Sequence, residues 1–184
     1  MGFQFQFYEG LKDPSLKEEV WEILCECDKE FIPHLSSRES SVQSMLTVNK
    51  TTEQKPKLYF NEMLQQHFIL CQDEESGRVV AFLSYRNQYD ADELKDHNPS
   101  NYITTICTTK SYRNKGITRT FYEIIFSDQL PEQLRMPYVT TRTWSTNDSH
   151  IHILNSLDFD KVRILKNHRG ENVDTIYFSK KSIY

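Results

Sequence analysis

The stretch Tyr102-Ile103-Thr104-Thr105-Ile106-Cys107-Thr108-Thr109-Lys110-Ser111-Tyr112-Arg113-Asn114-Lys115-Gly116-Ile117-Thr118 decides the fold. Its first seven residues are dense in Thr, Ile and Tyr, whose backbone preferences suit a strand. Beyond it Ile117, Phe121, Ile124 and Ile125 recur at i, i+4, i+7 and i+8, the spacing that puts four apolar side chains on one buried helix face. A polar, basic turn joins strand to helix. The start of a helix carries unpaired N–H groups and a partial positive charge, so a turn leading into it is able to enclose a phosphate oxygen. Gly116 lacks a Cβ, which permits a left-handed backbone and close approach of a ligand. Arg113 and Lys115 add charge. The same residues also suit a solvated basic loop before an ordinary helix, since short glycine motifs match widely. The turn is neither GxxxxGK[ST] nor GxGxxG.

Outward from this segment, the chain reads as helices followed by strands. Asp13-Pro14 starts a helix, because Asp caps free N–H groups and proline is tolerated in the first turn. Leu16, Val20, Ile23 and Leu24 form its apolar stripe, Trp21 and Cys27 widen it, and Phe31-Ile32-Pro33 ends it. A second helix is expected over part of residues 36–48, a polar loop over Asn49–Lys57, and a short helix over Leu58–Leu64. Phe68–Cys71 and Val79–Tyr85, joined by Glu75-Ser76-Gly77-Arg78, predict a β-hairpin. Phe3, Phe5 and Phe7 alternate with Gln4 and Gln6, which favours an edge strand in the same sheet over a partner contact. After the central segment, Leu130-Pro131 closes the helix and Tyr138–Trp144 is a strand. Asp148–Leu157 is a short helix, and Phe159–Leu165 with Thr175–Phe178 is a hairpin around Asn167-His168-Arg169-Gly170. The order predicts an α/β or α+β sheet with helices packed against it.

The 184 residues fit one domain, 1–184, and 38% hydrophobic with 26% charged residues describe a globular chain. No apolar stretch reaches the ~20 residues that cross a bilayer, and MGFQFQFYEG lacks the basic and apolar blocks of a signal peptide. A soluble protein with a cytoplasmic location and no membrane partner is expected. Cys25, Cys27, Cys71 and Cys107 contain no CxxC pair, so buried free thiols are expected and no metal. A formal charge of −4 argues against a nucleic-acid partner.

Arg113-Asn114-Lys115-Gly116-Ile117-Thr118 resembles the (Arg/Gln)-x-x-Gly-x-(Gly/Ala) motif of the GNAT superfamily of acyl-CoA N-acyltransferases. Asn147 opens a segment similar to the family's second motif, with Leu157-Asp158-Phe159 where Leu/Tyr…Gly-Phe is common. The resemblance spans roughly residues 67–180. It implies the GNAT-like α/β fold, a central mixed but mostly antiparallel sheet flanked by helices. It also implies transfer of acetyl from acetyl-CoA, as cosubstrate, to a primary amine acceptor by direct attack in a ternary complex. Backbone groups at Ile106 and Thr108 would align the pantetheine arm, Arg113–Thr118 would hold the diphosphate, and Asn147 would bond the cofactor or cap its helix. The alternative is a catalytically weak acyl-CoA-binding or sensing protein on the same fold.

Two departures from the family pattern stand out. Thr118 replaces the usual Gly or Ala. Many members carry a tyrosine seven residues after the asparagine, where its hydroxyl protonates the departing thiolate; here that position is Leu154, which has no proton to give. His150, one turn before Leu154 and on much the same face, is the substitute candidate, whereas His152 is expected to point away. A base is also needed to free the amine. The connection Arg86–Asn101 carries Asp90, Asp92, Glu93 and Asp96, and Glu93 is the candidate taken from it; a solvated acidic loop is the plainer reading. Cys107 is rejected as a nucleophile, since direct transfer needs none and buried cysteine packs as a small hydrophobe. A homodimer is left open.

Overall fold

The computed structural model describes residues 2–47 and 53–183. Seven strands form one sheet: β1 (Phe3–Glu9), β2 (His67–Asp73), β3 (Val79–Tyr89), β4 (Ser100–Thr108), β5 (Tyr138–Trp144), β6 (Asp160–Leu165) and β7 (Thr175–Lys181). Their order is β1-β2-β3-β4-β5-β7-β6. Every neighbouring pair is antiparallel except β4 and β5, which run parallel. That parallel pair requires a crossover, and helix α3 (Ile117–Ile125) lies within it.

The sheet buries both faces. Ile69, Cys71, Ala81, Leu83 and Tyr85 join Phe121, Ile124 and Ile125 of α3 and Leu154 of helix α4 (Asp148–Ser156) in one core. Phe68, Leu70, Phe82 and Cys107 pack on the other face with Val20, Ile23 and Leu24 of helix α1 (Pro14–Cys27), and Tyr59 and Met63 of helix α2 (Lys57–Met63). The period-2 alternation along β2 and β3 thus feeds two cores. The four residues Ile117, Phe121, Ile124 and Ile125 are all buried, as their spacing requires.

Local chemistry sets the helix ends. Asp13 Oδ1 accepts from the amides of Ser15 at 2.9 Å and Leu16 at 3.0 Å, which fixes the start of α1. A 3₁₀ turn at Asp28–Glu30 follows α1 before Phe31. Strand β1 is an edge strand paired with β2. Its phenylalanines pack within the chain: Phe5 meets Phe121 edge-on at 5.5 Å between ring centroids, and Phe3 meets Tyr112 at 6.2 Å.

Two expectations fail. The helix expected within 36–48 is absent from the described part; Leu35–Ser37 make one 3₁₀ turn, and turns and bends follow to Thr47. Side chains capture the backbone there: Gln43 Oε1 accepts from the amides of Glu39 at 2.8 Å and Ser40 at 3.4 Å, and Glu62 takes the amide of Ser41 at 2.8 Å. Residues 48–52, including the first four of the expected Asn49–Lys57 loop, lie outside the described residues. The Arg86–Asn101 connection is also shorter than expected, because β3 runs on to Tyr89 and β4 starts at Ser100. A 3₁₀ segment at Asp92–His97 fills the gap, its Leu94 packed with Tyr102 and Tyr177.

Candidate active site

Parallel pairing of β4 and β5 runs from Ser100 and Tyr138 to Ile103 and Thr141, and there it stops. Beyond that point the strands part, leaving a cleft of about 850 Å³. One wall is the edge of β4. The Thr109 amide bonds the Val80 carbonyl at 3.0 Å, so Thr109 faces β3. Alternation then turns the N–H and C=O of Thr108 and Ile106 toward the cleft. The Thr108 carbonyl is already engaged, accepting from Arg113 Nε at 3.1 Å.

The mouth of the cleft is the start of α3. Gly116 occupies the N-cap position with φ +80°, and no side chain caps the helix. Asn114 is also left-handed, at φ +60°. Two such residues turn the chain sharply, and the amides of the first helical turn have no carbonyl of their own helix to bond. A Cβ built on Gly116 would meet no atom within 4 Å. The space beside Gly116 therefore belongs to the cleft and not to packing. Arg113, Asn114, Lys115, Gly116, Ile117 and Thr118 all line it. This arrangement fits an anion at the mouth and a long arm along β4.

Residues 37–176 match a family model described as "Acetyltransferase (GNAT) domain". The chain belongs to the GNAT acetyltransferase family. Solved structures agree with that fold over nearly the whole length. Arabidopsis thaliana NAA60, in complex with a bisubstrate analogue, is 16% identical with a TM-score of 0.64, covering 98% of this chain and 99% of that one. The Salmonella typhimurium protein yncA, solved with its cofactor acetyl-CoA, is 13% identical with a TM-score of 0.63, covering 97% and 93%. An N-acetyltransferase from Staphylococcus aureus Mu50 is 12% identical with a TM-score of 0.62, covering 98% and 99%. No curated protein sequence matches the chain. GNAT enzymes use acetyl-CoA as cosubstrate. Among the described residues no group of three or more His, Cys, Asp or Glu is placed to hold a metal ion, and no helix is long and apolar enough to cross a membrane.

Within this GNAT enzyme the expected residues fall into three groups. The cofactor set comes together: Ile106, Thr108, Arg113–Thr118 and Asn147 all line the cleft. Arg113 turns back, its Nη2 donating to Glu30 at 3.0 Å, so it ties the turn to the end of α1. Lys115 Nζ stands 5.7 Å from the centre of the Tyr112 ring. Asn147 is the N-cap of α4, its Oδ1 accepting from the His150 amide at 3.4 Å while its Nδ2 donates to Thr143 Oγ1 at 3.0 Å.

The α4 residues differ from expectation in their facing. Leu154 is fully buried in the core beneath the sheet, so its position does not face the cleft. His150 lines the cleft but turns its ring to the core, with Nε2 2.7 Å from the Tyr122 hydroxyl. Burial pushes its pKa down to about 4, so the imidazole is neutral at pH 7. His152, expected to point away, is exposed and also lines the cleft. Glu93 stands apart from it. It belongs to the 3₁₀ segment beside β6, where Arg163 Nη1 approaches its carbonyl at 3.5 Å.

Further lining residues were not singled out as site residues from the sequence: Cys27 at the end of α1, Glu30 and Phe31 just after it, Arg119 on α3, and Arg142 and Trp144 on β5. The Phe31 and Trp144 rings meet at a tilt of 52°, 5.5 Å between centroids. Arg142 carries the one signal available beforehand, a charge in the middle of a strand with otherwise buried neighbours.

Proposed function

We propose that this GNAT enzyme transfers acetyl from acetyl-CoA to a primary amine by direct attack, with both substrates bound in the β4–β5 cleft. The parting of the two parallel strands beside an uncapped, glycine-started helix carries the reading. The turn Arg113–Thr118 receives the diphosphate on the amides of the first turn of α3. The exposed edge of β4 at Ile106 and Thr108 aligns the pantetheine arm, and its inward N–H groups polarise the carbonyl where negative charge develops. Bound there, acetyl-CoA supplies the activated acyl group, so no acyl-enzyme is required.

Proton movement follows from what lines the cleft. Glu30 and Asp148 are its carboxylates among the described residues, and Glu30 is paired with Arg113. Asp148 stands exposed in the first turn of α4, so water takes the ammonium proton, at the cleft or by way of Asp148. With Leu154 in the core and His150 neutral, His150 acts as the partner that holds Tyr122 in place. The proton released by the amine, passed through water, balances the one required by the departing sulfur. Free thiols at all four cysteines suit a reducing compartment, and we place the enzyme in the cytoplasm on that ground.

Acetyl-CoA at a hundredfold excess over Kd is expected to stabilise the protein by about 2.7 kcal/mol, roughly 5–10 °C in Tm for a chain of this size. Gly116→Trp fills the cleft mouth and removes that rise; the left-handed backbone costs it about 1–2 kcal/mol in stability. A folded Gly116→Trp protein that keeps the full rise contradicts the placement. Release of free thiol with an amine then reports turnover.

A further inference from the structure

Three arginines gather behind the inner end of the cleft. Arg142, on β5 one residue past the parting point, lines it. Its Nη2 donates to the carbonyls of Ser41 at 3.2 Å and Gln43 at 2.9 Å. Arg38 is 4% exposed and directs its Nη2 at the same Ser41 carbonyl, at 3.4 Å. Its guanidinium lies over the Tyr59 ring at 5.0 Å, and its Nε has no partner. Arg169, 7% exposed, donates to Thr175 Oγ1 at 2.9 Å and to the Ile32 carbonyl at 2.6 Å, and stands over Trp144 at 5.8 Å. Burial pushes the Arg169 pKa down to about 9, with Arg38 and Arg142 adding repulsion.

Buried guanidinium groups ordinarily meet carboxylates. Among the described residues no carboxylate lies within ion-pair distance of these three. Glu62, the acid nearest in effect, is consumed by Arg86, Gln66 and the Ser41 amide. The cluster is thus positive, buried at Arg38 and Arg169, open to the cleft at Arg142, and without a carboxylate partner among the described residues. It also touches the reacting region: Tyr59, under Arg38, bonds Thr105 Oγ1 at 2.7 Å, and Thr105 lines the cleft on β4.

We infer that the acceptor is an amine that carries its own carboxylate, an α-amino acid in the simplest case, with the carboxylate docked on Arg142 at the β4–β5 parting. The inference rests on acetyl transfer taking place in this cleft. Arg38 and Arg169 supply the field behind Arg142; its Nη2 hydrogens are held by Ser41 and Gln43 and its Nη1 approaches the Tyr177 hydroxyl at 3.4 Å, so the carboxylate takes a single charge-assisted hydrogen bond from the remaining N–H groups. The amine then lies toward Thr105 and Ile106. There the N–C bond forms, the thioester C–S bond breaks, and the amine's proton ends on sulfur. The same field repels polyamines.

The test is thiol release from acetyl-CoA by the full-length protein with the common α-amino acids, each against its α-carboxamide, and with spermidine. The expected result is at least one amino acid with kcat/KM a hundredfold or more above its carboxamide, and spermidine below both. Arg142→Gln is expected to raise KM for that amino acid about a hundredfold with a smaller change in kcat. Arg142→Lys recovers part of it, and both variants keep the Tm rise with acetyl-CoA. Equal rates for acid and carboxamide, or preference for spermidine, overturn the inference while leaving acetyl transfer intact. A Tm rise with acetyl-CoA but no amino acid turned over also overturns it. No Tm rise and no thiol release with any amine defeats the acetyl-transfer reading itself.

Discussion

Gly116 and His150 show how single residues carry the account. At Gly116 a left-handed backbone and empty space coincide, so the glycine serves a ligand and not a packing neighbour. His150 is recorded by its proton. Its folded pKa of about 4 lies below the ordinary 6.5, so the unfolded chain binds the proton more readily between those values. Stability from this group is complete above about pH 6.5 and falls as pH drops toward 4. Between pH 7 and 5 the loss is on the order of 2 kcal/mol. His150→Gln is therefore expected to show a shallower decline of the urea midpoint from pH 7 to 5 than the wild type. The other histidines shifted down by burial, His67 and His168, act equally in both proteins. Equal slopes would show that His150 is not held neutral.

At the scale of the element, α4 is the instructive case. Sequence spacing puts His150 and Leu154 on one face, and the structure keeps them together, but that face turns to the core. Periodicity reports which residues share a face and is silent on what the face meets. Leu154→Tyr consequently does not restore a proton donor. It overfills the core, with an expected loss of about 1–3 kcal/mol and no gain in thiol release; a clear gain at unchanged stability would show that position 154 opens to the cleft. α3 was legible for the opposite reason, because its four apolar residues and the preceding glycine turn are local features. The expected 36–48 helix fails because Gln43, Glu62 and Arg142 take the backbone groups of residues 39–43, and two of those three lie distant in sequence.

Across the whole molecule, the strand and helix order from 67 onward was readable, and so was the strand-to-helix turn as the place of the chemistry; the cleft itself follows from the parallel β4–β5 pairing, which ends at Ile103 and Thr141. The cofactor residues came with it because they cluster in one turn and one strand edge. The arginine cluster did not. Arg38, Arg142 and Arg169 converge only after the chain has crossed the sheet, and nothing local marks them as neighbours. Net charge is silent on local fields in the same way: a total of −4 sits beside positive ground at both ends of the cleft. The central claim, that acetyl-CoA lies between β4 and β5 with its diphosphate on the start of α3, is tested most directly by amide hydrogen exchange with and without saturating acetyl-CoA. New protection is expected at residues 106–108 and 114–119. Saturated binding with no added protection at 114–119 would contradict it.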